Sequence, residues 1–128
     1  MRSSLGMQCH SIGEAAMDLS FEDHGPTRIV RVGAARIDAA IAIRFKDAMR
    51  SAMGDEARRI VLDLSQVDFV DSSGLGAIVA SMKLLGAERR MDLSGLTPIV
   101  DKVFRLTRMD TVFDIYPDTG AALARDAA

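Results

Sequence analysis

The chain has 128 residues with 16 basic and 18 acidic side chains, a formal net charge of -2, and 48% hydrophobic and 27% charged residues. This is the composition of a globular domain, and a near-neutral charge without a sustained basic stripe argues against a nucleic-acid partner. No apolar run reaches the roughly 20 residues of a membrane helix, and the N-terminus lacks the basic segment followed by an apolar segment that marks a secretory signal. The single cysteine, Cys9, excludes a disulfide framework. We therefore expect a cytoplasmic protein with no membrane insertion.

The front of the chain divides into an unpatterned segment and a hairpin. Residues 1–17 show neither helical nor strand periodicity, and we expect a loose N-terminal extension there. Residues 18–125 are predicted to form a single domain. Residues 18–22 alternate polar and apolar side chains, and a second β-rich run from Thr27 to Val32 follows the turn at Gly25-Pro26, which predicts a β-hairpin.

The period then changes to that of a helix. An apolar stripe at offsets of four, seven, eight and eleven predicts an α-helix through Ile41, Phe45, Ala48, Met49 and Ala52. Asp38 stands where the N-cap of this helix belongs, and Gly54 stands where its C-terminal glycine belongs.

A buried strand and a second helix are predicted next. The run from Ile60 to Leu64 is nearly all apolar, which is typical of a strand covered on both faces in the middle of a sheet. A second helical stripe that ends at Gly86 comprises Leu75, Ile78, Val79, Met82 and Leu85.

The last third of the chain repeats this alternation. A strand is predicted at 91–94, and a helix capped by Thr97 with Pro98 as its first residue is predicted to continue through Ile99, Val103 and Leu106. A strand at 112–116 and a final helix capped by Asp118 complete the order ββαβαβαβα. This order predicts an α/β fold with about four helices on a mixed, mostly parallel sheet of four to five strands.

The residues offer little for catalysis or for a cofactor. The only histidines, His10 and His24, lie in the front of the chain, and neither the phosphate-binding loop nor the dinucleotide fingerprint occurs. Asp63, Asp68 and Asp71 lie near one another in sequence but lack the spacing of a metal motif, and we expect them to line the edge of the sheet. We therefore expect no enzyme activity, no cofactor and no metal.

The segment from Val67 to Gly76, VDFVDSSGLG, joins a loop to a predicted helix N-terminus. Free backbone N–H groups and the helix dipole favour a hydroxyl or an anion there, so Ser72 and Ser73 are candidate functional residues. Gly74 and Gly76 each cost about 1 kcal/mol of helix propensity, which indicates that something approaches closely. The simpler interpretation is that Asp71 or Ser72 only caps the helix.

The segment from Ile60 to Gly76, IVLDLSQVDFVDSSGLG, resembles the core signature of the STAS domain, the fold of bacterial anti-sigma factor antagonists. The segment from Val103 to Tyr116, VFRLTRMDTVFDIY, is similar to the closing helix and edge strand of that family. The resemblance covers roughly Asp18 to Leu123, and its most specific part is the hexapeptide D-S-S-G-L-G. It implies a STAS fold.

The resemblance also implies a function and its residues. Ser72 corresponds to the phosphoacceptor, which in the family is modified by a GHKL-type serine kinase that doubles as the anti-sigma factor. The unphosphorylated protein is expected to bind this kinase so that the sigma factor is released, and a serine phosphatase is expected to restore it after phosphorylation. The implied partner-binding residues are Asp38, Asp71, Ser73, Gly74 and Leu75.

Two segments depart from the family pattern. The family commonly has paired glycines where this chain has Ala87-Glu88-Arg89-Arg90, and often has Thr-Gly-Leu where it has Thr107-Arg108-Met109. If the helix ends at Arg108 with a positive φ, that residue carries strain that glycine would not. The chain has two arginine pairs, Arg58-Arg59 and Arg89-Arg90. They either form a basic patch or, as we expect, lie exposed to solvent where two strands begin.

Other interpretations stay open. The chain fits a STAS scaffold without a phosphoswitch, serving a lipid transporter or a stress-signalling assembly. A small hydrolase with Ser72 or Ser73 as nucleophile lacks a base and the G-x-S-x-G elbow. Asp38 is either a helix cap or a recognition residue.

Overall fold

The computed structural model describes residues 19–127 of the chain. The predicted loose extension at 1–17, together with Cys9 and His10, lies outside the described residues. No helix among the described residues is long and apolar enough to span a membrane.

Within residues 19–127 the structure has seven strands and four α-helices. The strands are β1 (Leu19–His24), β2 (Thr27–Val32), β3 (Arg36–Ile37), β4 (Arg59–Asp63), β5 (Phe69–Val70), β6 (Arg90–Ser94) and β7 (Ile115–Tyr116). The helices are α1 (Ala42–Met53), α2 (Ser72–Leu84), α3 (Pro98–Leu106) and α4 (Thr119–Ala127), with a short 3-10 helix at Met109–Thr111.

Five strands form the main sheet in the order β1-β2-β4-β6-β7. β1 pairs with β2 as the predicted antiparallel hairpin, and every other pairing in this sheet is parallel. All five residues of β4 are buried, because β4 lies in the middle of the sheet with helices on both faces. The α/β class, the mixed and mostly parallel sheet and the central strand are thus confirmed.

The two faces of the sheet carry different layers. Val30, Leu62 and Leu93 lie in register across β2, β4 and β6, and they pack with buried side chains of α1, α2 and α3 in the main core. Alternate residues of a strand point to opposite faces, so Ile29 and Val61 face the other way and pack against Ala122 of α4. The apolar stripe predicted for α2 is confirmed, since all five of its residues contact the main core.

A second, two-stranded parallel sheet joins β3 and β5, with Arg36 opposite Phe69 and Ile37 opposite Val70. The predicted order ββαβαβαβα lacks both strands because two residues are too short to show a period of two. This small sheet matters for the site because β3 leads into α1 and β5 leads into α2. It therefore fixes the beginnings of the two helices side by side.

The predicted N-cap of α1 is wrong. The helix begins at Ala42, and Ile41 occupies its N-cap position without a side-chain hydrogen bond. Asp38 instead closes the turn before the helix: its Oδ1 accepts from the Ala40 N–H at 3.1 Å, and its carbonyl oxygen accepts from the Ile41 N–H at 3.1 Å. The predicted glycine stop is confirmed, because Gly54 follows the helix with φ +60°.

The end of the chain is less regular than predicted. The strand predicted at 112–116 is confined to Ile115–Tyr116, because residues 109–111 form a 3-10 helix and Val112 is 46% exposed. The final helix is confirmed with its cap, since the Ala121 N–H donates to Asp118 Oδ1 at 2.7 Å. In α3, Thr97 and Pro98 occupy the predicted first positions, but the buried side chains are Val100 and Phe104.

One arginine of each basic pair, Arg58 or Arg90, is exposed at a strand entry as predicted, whereas the other binds groups of the protein. Arg59 is 6% exposed, and its Nε lies 2.7 Å from Oδ2 of the buried Asp92. Arg89 donates to three backbone carbonyl oxygens at and after the end of α1, with the shortest bond, 2.6 Å, to Ala57. The arginine in the loop that departs from the family pattern therefore binds the C-terminal end of α1.

Candidate functional site

The N-terminus of α2 lies against the turn that precedes α1, because β5 ends directly before α2 and pairs with β3, which leads into that turn. The Asp71 N–H donates to the carbonyl oxygen of Ile37 at 3.3 Å, which extends the β3–β5 pairing by one bond. Asp71 has extended backbone angles, and the helix begins at Ser72. Extended angles at the residue before a helix are those of an N-cap.

The carboxylate of Asp71 ties the two helix beginnings together. Its Oδ1 accepts from the Gly74 N–H at 2.8 Å, which satisfies one of the free donors in the first turn of α2. Its Oδ2 accepts from the Ala39 N–H at 3.2 Å, in the turn before α1. The predicted cap is therefore Asp71 and not Ser72, and both of its carboxylate oxygens hold backbone in place.

Ser72 and Ser73 occupy the first two positions of α2, and both are exposed. Neither hydroxyl makes a hydrogen bond to any residue within 19–127. An enzyme can reach both oxygens, and the adjacent helix terminus favours a negative group by about 0.3–1 kcal/mol. The Ser72 hydroxyl is thus accessible, and the positive end of the α2 dipole stabilises a negative group attached to it.

The close approach predicted from the two glycines exists at only one of them. A Cβ on Gly74 would lie 1.9 Å from the carbonyl oxygen of Ile37, so this residue lets α2 approach β3. A Cβ on Gly76 would meet nothing within 4 Å, so the prediction is wrong there. What comes close at Gly74 is the chain's own backbone.

The remaining predicted site residues lie around this junction with different exposure. Asp38 is half-buried, and its Oδ2 lies 3.3 Å from Nε of Arg36. Leu75 is half-buried and packs against the main core, while Gly74 is buried. The surface of this junction is therefore formed by Asp38, Asp71 and the two serines. Leu75 and Gly74 mainly stabilise the fold.

A groove between α1 and α2 opens beside the serines, and sequence reasoning missed it. Its volume is about 510 Å³, and its lining residues are Ala42, Ile43, Lys46, Asp47, Arg50, Ser73, Gly76, Ala77 and Ala80. The sequence does contain a signal for one wall of this groove: residues 43, 46, 47 and 50 are spaced three and four apart, which places their side chains on one face of α1.

Within residues 19–127, no histidine, lysine or carboxylate forms a hydrogen bond with either serine hydroxyl. His24 lies on β1, where its Nε2 is 2.9 Å from Oε2 of Glu22. Asp63 is 3.2 Å from Arg31 and accepts from the Ser65 N–H, so it belongs to the polar face of the sheet. Among residues 19–127, no three His, Cys, Asp or Glu side chains gather as a metal site would require.

Known proteins resemble this chain over most of its length. The STAS domain family model matches residues 18–122. An anti-sigma-B factor antagonist of Listeria monocytogenes is 30% identical over 83 residues, which cover 64% of this chain and 73% of that protein. An anti-sigma-F factor antagonist of Mycobacterium tuberculosis is 22% identical over 108 residues, which cover 84% of this chain and 88% of that protein.

A solved structure shows the same architecture. The crystal structure of an anti-sigma factor antagonist from Mycobacterium paratuberculosis matches with a TM-score of 0.76 and 29% identity, covering 86% of this chain and 93% of that one. The overall fold described above is thus shared along almost the whole of that protein.

Proposed function

This chain belongs to the STAS domain family, and we propose that it is an anti-sigma factor antagonist switched by phosphorylation of Ser72. The unphosphorylated form binds an anti-sigma factor that is also a GHKL-type serine kinase, and the sigma factor is thereby released. The kinase phosphorylates Ser72 and ends the complex, and a serine phosphatase restores binding. These partners act on transcription, so we place the protein in the cytoplasm.

The observation that carries the proposal is the exposed Ser72 hydroxyl on a rigid support. Asp71 caps the helix through Gly74 and also holds the turn before α1, so the backbone that carries the hydroxyl is fixed on both sides. A kinase can bind such a surface without first unfolding it.

The physical chemistry of a phosphate explains a switch in binding without loss of the fold. Phosphorylation adds about -1.5 to -2 charges at the positive end of α2, which the domain tolerates. Across a docked interface, the same dianion lies next to Asp71 and repels acidic partner groups, at a cost of several kcal/mol. A cost of about 3–4 kcal/mol lowers affinity a few hundredfold.

In this proposal the protein is a ligand and a substrate, and it catalyses nothing. No described base contacts either serine, which disfavours the small hydrolase. The relatives favour an independent regulator over a transporter scaffold, because the match spans 88% of the M. tuberculosis antagonist and 93% of the solved one.

The test uses each GHKL-type anti-sigma factor of the source bacterium with ATP, followed by mapping of the modified residue. We expect phosphate on Ser72 in the wild type and in the matched control Ser73→Ala, and none in Ser72→Ala. Ser72→Ala binds like the unmodified protein, and Ser72→Asp binds weakly. Label confined to residues outside 71–73, or equal affinity of Ser72→Ala and Ser72→Asp, contradicts the phosphoswitch and favours the unswitched scaffold.

A further inference from the structure

The groove between α1 and α2 has one exposed aliphatic side chain on its α1 rim, Ile43, and a floor of small residues on α2. Ile43 at the rim is 77% exposed, although a large aliphatic side chain gains free energy from burial. The floor is formed by Ser73, Gly76, Ala77 and Ala80, at spacings of three and four residues on α2. The groove therefore presents apolar surface to solvent.

The charges on α1 are the second feature of the groove. Lys46 and Arg50 line it and form no ion pair with any side chain in the described part of the chain. Asp47 is the only acidic lining residue, so the groove has a local excess of positive charge. This excess stands against a formal net charge of -2 for the whole chain, so it is a local property.

We propose that the α1–α2 groove receives an acidic amphipathic helix of the anti-sigma factor. Apolar side chains of that helix would cover Ile43 and the small floor, and its acidic side chains would pair with Lys46 and Arg50. The inference rests on the proposed function and specifies the chemistry of its partner surface.

Dimensions and position support a helix as the occupant. The lining residues from 43 to 50 span about 10 Å along α1 at 1.5 Å per residue, or two turns of a docked helix. Amphipathic helices bind grooves of this kind through apolar side chains repeated at three and four residues. Ser73 lines the groove directly after the phosphoacceptor, so the acidic helix would lie next to a phosphate on Ser72 and be repelled by it.

Charge reversal tests the electrostatic half of the proposal. The double variant Lys46→Glu/Arg50→Glu is expected to bind the anti-sigma factor at least tenfold more weakly than the wild type at low salt. Its affinity should also depend less on NaCl concentration, because the attraction that salt screens is gone. The matched control is Arg44→Glu, which changes the charge on the same helix but outside the groove, and we expect less than a threefold effect.

Filling the groove tests its steric half. Gly76→Leu adds a bulky side chain where a Cβ meets nothing, so it should occlude the floor while the domain stays folded. We expect at least tenfold weaker binding for Gly76→Leu and a smaller loss for Gly76→Ala, which adds only one carbon to the same position of the floor. Circular dichroism of each variant checks that the fold is intact.

The outcomes separate this inference from the proposed function. If Ser72→Asp weakens binding while the double charge reversal and Gly76→Leu bind within threefold of the wild type, the groove is not the docking site and the phosphoswitch still holds. If no anti-sigma factor binds the wild type, the proposed function itself fails. Equal losses from Arg44→Glu and from the double variant also overturn the groove, because the effect would then be one of overall charge.

Discussion

Gly74 and Gly76 lie two residues apart on α2, and we predict that alanine has opposite effects on stability at the two positions. At Gly74 the added methyl group would lie 1.9 Å from the backbone oxygen of Ile37, far inside contact distance. A carbonyl in a strand cannot swing away as a side chain can. The beginning of α2 must therefore move away from β3.

The magnitudes follow from two competing terms. Overpacking of this kind costs about 1–3 kcal/mol or more, and the steric overlap here is severe, so we take about 3 kcal/mol. Alanine regains about 1 kcal/mol of helix propensity, which leaves a net loss of about 2 kcal/mol for Gly74→Ala. Gly76→Ala has only the favourable term and gains up to about 1 kcal/mol, since its Cβ meets nothing within 4 Å.

Thermal and urea unfolding of the two variants measure the difference. For a chain of this size, about 1 kcal/mol corresponds to roughly 4 °C in Tm, so Gly74→Ala should unfold about 8 °C below the wild type. Gly76→Ala should unfold at or above the wild-type temperature. Equal shifts in the two variants, or a Gly74→Ala Tm within 1 °C of the wild type, would refute the close approach of α2 to β3.

Three further predictions concern stability away from the site. Asp92→Asn removes the charge that faces the buried guanidinium of Arg59 at 2.7 Å and should lower the free energy of unfolding in urea by about 3–5 kcal/mol; a loss below 1 kcal/mol would contradict this. Arg108 has φ +63°, so Arg108→Gly should raise stability by up to about 1 kcal/mol, and a lower Tm would show that no strain is relieved. Burial alone would raise the pKa of Glu22, but hydrogen bonds from Arg31 and the histidine of the same strand outweigh it and hold that pKa below its ordinary value of 4.5. Because the folded-state pKa is depressed, this stabilisation is present above pH 4.5 and is lost as the pH falls through the folded-state pKa; Glu22→Gln should flatten the acid side of the Tm profile, and an unchanged profile would contradict the assignment.

The sequence predicts the elements whose burial pattern extends over several residues. β4 is recognisable because five consecutive positions are buried, and α4 because Asp118 caps it at the expected distance. β3 and β5 escape such reasoning because each has only two residues and depends on a partner far away in sequence. The sequence places Asp38 at the N-cap of α1 because it does not show the turn that separates Asp38 from the first residue of the helix, Ala42.

The site is predictable in its motif and not in its surroundings. Asp71, Ser72 and Gly74 are recognisable together, because a cap, a hydroxyl and a glycine at a helix start follow local rules. The groove depends on how α1 packs against α2, and its outward side chains, such as Lys46, look like any solvated helix face. The buried partners of Arg59 were invisible for the same reason, since a sequence shows a charge but not the groups that fold against it.

The effect of phosphate on docking can be measured by isothermal titration calorimetry of the wild type with its cognate anti-sigma factor, before and after complete phosphorylation of Ser72. We expect one binding site with a Kd that rises a few hundredfold when phosphate occupies Ser72. The far-ultraviolet circular dichroism should stay unchanged, because the helix end accepts the dianion. A Kd within threefold of the unmodified value, with phosphate verified on Ser72, would contradict the claim that charge at this hydroxyl controls docking.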